Sequence, residues 1–105
     1  MNNIEQTDDF TVEVDSILES IVPEFLGNRK KDCELIRQLL GKEAFNEIRT
    51  LGHRMKGAGG SYGFDLISEI GEIVENAALK GDHETIRIQI KRLADYLERV
   101  SVVYV

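Results

Sequence analysis

The chain has no tryptophan, one proline and one cysteine, and each scarcity excludes something. A lone Cys33 cannot close an internal disulfide, so this is no disulfide-stapled scaffold and a reducing compartment is expected. Cys33 itself reads as a small, semi-apolar helix residue and not as a reactive thiol. No run approaches the roughly 18 apolar residues that read as a membrane span, and the polar, acidic start is no signal peptide. Cations are in the minority, 13 Lys and Arg against 19 Asp and Glu. The resulting net charge of -6 argues against general nucleic-acid binding, which draws on a basic surface. A cytoplasmic protein that meets neither membrane nor nucleic acid is expected.

What is present suits one globular domain. The 105 residues are 42% hydrophobic and 30% charged, enough for a single core. Residues 1–12, with Asp8 and Asp9, lack periodicity and are expected to form a flexible arm ahead of a domain over 13–105. From Asp15 onward the chain reads as helices separated by short breaks.

A short helix is expected at about Asp15 to Val22. Pro23 suits the first turn of the next, where its missing N–H is not needed. That helix should carry Phe25, Leu26, Cys33, Ile36, Leu39 and Leu40, with Gly27-Asn28 a weak interruption and Gly41 its stop. Another begins near Glu43, has Ala44, Phe45, Ile48, Leu51 and Met55 at helical spacing, and ends within 57–63. The following helix runs from about Phe64 to Lys80 with Ile67, Ile70, Val74, Ala77 and Ala78 inward. Gly81 closes it and Asp82 caps the next. In the last helix Ile86, Ile90, Leu93, Leu97 and Val100 form one stripe, and the β-branched tail Ser101 to Val105 either extends it or frays. Such stripes are buried only by packing on one another. The expectation is therefore an all-α, up-down four-helix bundle with a short extra N-terminal helix.

His53 stands apart from this apolar pattern. At about 100° per residue, Ala44, Phe45, Ile48, Leu51 and Met55 share an arc of roughly 120°, and His53 lies roughly 150° from its centre. It should point to solvent. Its neighbours one turn away are Arg49, Thr50, Lys56 and Gly57, with Gly60 a turn further. Glycine inside a helix costs about 1 kcal/mol relative to alanine, so Gly57, Gly59 and Gly60 weaken a helix with no evident structural need for them. Either the helix ends early and His53 is an idle surface residue, or the missing side chains let a large partner reach the imidazole. In the second case Lys56 offsets negative charge delivered there. Neutral imidazole carries a free lone pair near pH 7, because its ordinary pKa is about 6.5. It can attack an acyl phosphate without a separate base, and phosphoryl transfer asks mainly for alignment and charge stabilisation.

The run His53, Lys56, Gly57, Ala58, Gly59, Gly60, Gly63 and Phe64 resembles the signature of the histidine phosphotransfer (HPt) domains of multistep phosphorelays. Ile21 to Asp32 looks like the first-helix pattern of small stand-alone members, and Ser61 to Gly71 like the start of their fourth helix. Gly52 departs from the pattern, standing where many members have alanine, and should loosen the turn before His53. The resemblance implies a four-helix bundle whose His53 takes a phosphoryl group from a receiver-domain aspartate and passes it to another receiver. The helical spacing around His53 adds Lys56 as the charge stabiliser, and Arg49, Thr50, Gly57 and Gly60 as partner-binding positions. No cofactor is expected on this chain, since the receiver would hold Mg²⁺. Partners would be response-regulator receivers and a hybrid sensor histidine kinase. The Met start and an end five residues past the last stripe fit a stand-alone monomer.

Other constellations are weaker. His83, between Asp82 and Glu84, reads as an ordinary first-turn residue, and no metal-ligand spacing links it to His53. Gly57–Gly63 is no nucleotide loop, because no Gly-Lys-Ser/Thr ending follows and no strand precedes it. Phosphorylation from ATP by this chain itself is therefore not expected. Glu69, Glu72 and Glu75 read as a solvated face. The competing function is a helical interaction module that binds a signalling partner through the same face without chemistry.

Overall fold

A computed structural model describes residues 10–105. Four helices dominate it: α1 over Val22–Gly41, α2 over Phe45–Tyr62, α3 over Asp65–Leu79 and α4 over His83–Arg99. Each packs on its sequence neighbours, and α1 closes against α4. Pro23 sits in the first turn of α1, where its fixed φ suits helix entry. Ile36, Ile48, Phe64, Ile67, Ile70, Val74, Ile86 and Leu93 are wholly buried, so all four helices, with the α2–α3 turn, feed one core. Each such side chain contributes roughly 1.5–3 kcal/mol by leaving water. Cys33 is part of this core, and burial pushes its thiol up to about 11. That leaves it a packing residue, inert as a nucleophile near neutral pH.

The helix ends follow backbone demands. Gly63 (φ 86) and Gly81 (φ 65) turn left-handed after α2 and α3, returning the chain in a way that suits a residue without Cβ. Asp82 caps α4 by accepting a hydrogen bond from the Thr85 amide at 3.1 Å. Helix α1 ends at Gly41, as expected, but the left-handed residue that closes it comes two positions later. Gly41 stays helical, and Glu43 takes the left-handed position with φ 55. The Ala44 amide donates to the Leu39 carbonyl at 2.9 Å and the Glu43 amide to the Leu40 carbonyl at 3.0 Å, a Schellman closure built on a non-glycine residue.

Two further expectations are corrected. The short helix over Asp15 to Val22 is a single 3-10 turn, Ser16–Leu18, capped by the Asp15 carboxylate. The bundle is also not all-α. Strand β1, Thr11–Val14, pairs in parallel with β2, Ser101–Tyr104, in the register Thr11 to Ser101 and Val14 to Tyr104. Residues 10–12 of the expected arm thus belong to ordered structure, while residues 1–9 lie outside the described residues. The C-terminal tail neither extends α4 nor frays. Its β-branched residues suit a pleated, half-buried strand, and Val14 at the end of β1 is core. Phe10, just before β1, packs at the end of α4, with the Arg99 guanidinium 4.3 Å over its ring.

The closest helix pair is α2 with α3, and glycine makes it so. A Cβ on Gly52 would stand 2.8 Å from the Glu75 backbone nitrogen, and one on Gly59 would stand 2.6 Å from the Ser68 nitrogen. Real Cβ atoms do not sit that near another backbone. Gly52 therefore lets the two helices touch; it does not loosen its turn, as the sequence pattern had implied.

Candidate functional site

Helix α2 runs unbroken through Gly57, Gly59 and Gly60 to Tyr62, so these glycines do not form a loop. Ile48, Gly52, Met55 and Gly59 are its buried residues. His53 faces the other way, with 72% of its side chain exposed. The wheel placed it correctly.

The wheel could not place its partner. His53 Nδ1 lies 3.0 Å from Glu75 Oε2 across the α2–α3 seam, and Glu75 is only 20% exposed. An ionised carboxylate can only accept, so Nδ1 must donate. The ring proton then sits on Nδ1, and Nε2 keeps its lone pair. A carboxylate that fixes tautomer and ring orientation is the usual way to prepare an imidazole for attack.

Glu72 and Glu69 of α3 are engaged too. Lys56 Nζ is 3.8 Å from Glu72 Oε2, and Arg92 of α4 reaches Glu69 at 3.2 Å. Glu69 and Glu72 are exposed, as the expected solvated face requires, while Glu75 is mostly covered; that all three also have interhelical partners is something local spacing could not supply. Three glutamates at i, i+3 and i+6 signal a shared face, but they do not say what lies opposite.

The remaining expected positions divide clearly. A side chain at Gly57 would meet nothing within 4 Å, and one at Gly60 would make ordinary contact with Ser68 Oγ at 3.9 Å. Neither glycine is required by packing, in contrast to Gly52 and Gly59. Arg49 and Thr50 are exposed, Arg49 has no ion pair among the described residues, and the Thr50 hydroxyl donates to the Asn46 carbonyl at 3.2 Å. Beside Thr50 a hollow between α1 and α2 is lined by Leu35, Leu39, Leu51 and Arg54. Leu35 is 42% exposed there, an apolar neighbour of the site that the sequence pattern did not single out. His83 stands in the first turn of α4, and among the described residues no group of three His, Cys, Asp or Glu side chains could hold a metal ion. No described helix is long and apolar enough to cross a membrane.

Fold and site together define a helical-bundle domain built around an exposed histidine that a neighbouring helix orients through a carboxylate. The family model of the Hpt domain matches residues 20–102, and the chain belongs to that family. Membership carries a histidine phosphotransfer role in phosphorelay signalling, in which Hpt domains interact with receiver domains and histidine kinases. No curated protein and no solved structure gives a significant match.

Proposed function

We propose that His53 is the phosphoacceptor, taking a phosphoryl group from a receiver-domain aspartyl phosphate and passing it to a second receiver. The observation that carries this is the 3.0 Å contact between Nδ1 and Glu75, which leaves Nε2 as the nucleophile. The Nε2 lone pair attacks phosphorus, an N–P bond forms, and the P–O bond to the receiver carboxylate breaks. The proton on Nδ1 stays, so the ring becomes cationic and the Glu75 carboxylate balances it. Lys56, one turn along, offsets the charge of the phosphoryl oxygens. Passing the group on reverses these steps. Mg²⁺ belongs to the receiver, where it would sit on the aspartyl phosphate.

The partner surface takes its shape from the glycines. Gly57 and Gly60 leave open backbone beside the ring, so a receiver can bring its phosphoaspartate to Nε2. Arg49 and Thr50 form polar contacts beside the ring, and the exposed Leu35 across the hollow that Thr50 lines adds an apolar one. A small, quickly released interface suits a carrier that must meet two partners in turn. The protein acts as a cytoplasmic monomer in this reading.

Incubation with a phosphorylated receiver tests it. Acid-labile phosphate should appear on the wild type and be absent from His53→Gln, with both proteins melting alike because the residue lies outside the core. Equal loading of the mutant would move the acceptor elsewhere, His83 being the only other histidine. Receiver binding with no phosphate on either protein would instead make this an interaction module without chemistry.

A further inference from the structure

We infer that Glu72 is a positioning residue for the phosphoryl group, holding Lys56 in the resting state and competing for it once the group arrives. The inference rests on His53 as the acceptor and extends to how tightly the acceptor holds its cargo.

The geometry is a ladder across the α2–α3 seam. His53 pairs with Glu75 and Lys56 with Glu72, so each step of three up α2 is matched by a step of three down α3. Residues three apart on a helix are neighbours, so the Lys56–Glu72 pair lies one turn from the His53–Glu75 pair. The glycine seam creates this closeness: a Cβ on Gly71 would lie 2.5 Å from the Lys56 amide nitrogen.

The two rungs are unequal. The His53 rung is a hydrogen bond of 3.0 Å to a mostly covered carboxylate. The Lys56 rung spans 3.8 Å, past hydrogen-bond length, between side chains that are 44% and 56% exposed. Glu75 is the better anchored carboxylate, mostly covered and within hydrogen-bond distance of Nδ1. Lys56 can leave, because its ammonium rides on a flexible four-carbon stem. A phosphoryl group on Nε2 brings close to two negative charges and offers a stronger partner than one exposed carboxylate. Lys56 then turns towards it, and Glu72 is left unpaired beside it. Glu72 thereby weakens the hold on the phosphoryl group twice, by drawing on the ammonium and by adding negative charge three residues from Glu75. The other cation one turn from His53, Arg49, has no carboxylate competing for it among the described residues.

Loading with phosphoramidate, which needs no receiver, isolates this effect. Ammonia leaves as the N–P bond forms, and a ³¹P NMR signal absent from His53→Gln reports the phosphohistidine. Wild type, Glu72→Gln, Lys56→Ala and the double mutant are titrated through the second ionisation of the phosphoryl group. Glu72→Gln should raise that ionisation constant roughly two- to five-fold, the range an exposed ion pair covers. In the Lys56→Ala background the same change should have less than half that effect. A constant unchanged in Glu72→Gln overturns the inference, as does an equal effect without Lys56, which would mean direct repulsion alone. A wild type that takes no phosphate on His53 overturns the acceptor reading itself, a distinct result. Thermal melts of the four proteins should agree, since the pair is exposed.

Discussion

Gly52 and Gly71 face each other so closely that neither could carry a methyl group in place. A Cβ on Gly52 would stand 2.9 Å from the Gly71 carbonyl oxygen, and one on Gly71 would stand 2.7 Å from that of Gly52. The atoms in the way are backbone, so only movement of a whole helix can make room. Gly52→Ala should therefore destabilise by about 1–3 kcal/mol, the usual range for an overpacked contact. For a chain of this size each kcal/mol lowers the melting temperature by roughly 4–8 °C. An unchanged melt would mean that the two helices separate freely, and that the His53–Glu75 contact does not depend on their approach.

Gly57 predicts the opposite pairing of effects. Its φ is not left-handed and nothing stands within 4 Å of the missing Cβ. Gly57→Glu should leave stability unchanged or raise it by up to roughly 1 kcal/mol, since glutamate is the better helix former. The new side chain stands one turn from His53 on the same face, adding bulk and negative charge where a phosphoryl group must arrive. Transfer from a phosphorylated receiver should fall steeply. Normal transfer with a lowered melting temperature would remove the access role assigned to this glycine.

Glu75→Ala separates orientation from nucleophilicity. Without its acceptor, Nδ1 no longer has a reason to hold the ring proton, and the proton should redistribute towards Nε2. ¹⁵N NMR of His53 reads that change directly. Transfer should slow on the order of ten-fold, because an orienting carboxylate is lost while the attacking atom remains. A tautomer ratio equal to that of wild type would show that Glu75 does not set the proton's position.

Glu43→Gly tests the left-handed end of α1. A residue with a Cβ pays roughly 1–2 kcal/mol in this conformation, while glycine loses about 0.4–1 kcal/mol through its freer unfolded chain. The net should be a gain of about 0.5–1 kcal/mol, seen as a higher denaturant midpoint with an unchanged slope. A lower midpoint would mean that the Glu43 side chain makes a stabilising contact of its own.

The amino-acid sequence determined everything that repeats within a helical turn. In the expected stripe Ile86, Ile90, Leu93 and Leu97 are buried as their spacing required, while Val100 is extended and only half-buried just past the helix; His53, opposite Ile48 and Met55, is exposed as its angle required. Gly81 and Asp82 also ended and began helices where their backbone chemistry said they should, and α2 ended within the expected 57–63 stretch. Such features depend on one helix and its own axis, so they are legible without a neighbour. Tertiary structure alone decided which Glu of α3 would meet His53, because that depends on the register between two helices. It decided that Gly52 and Gly59 are structural while Gly57 and Gly60 are open, since a glycine's missing Cβ has meaning only against the atoms facing it. It also paired Thr11–Val14 with Ser101–Tyr104, a parallel match between opposite ends of the chain. Local periodicity extends over a few residues, and contacts between distant segments are selected by the packing of the whole core.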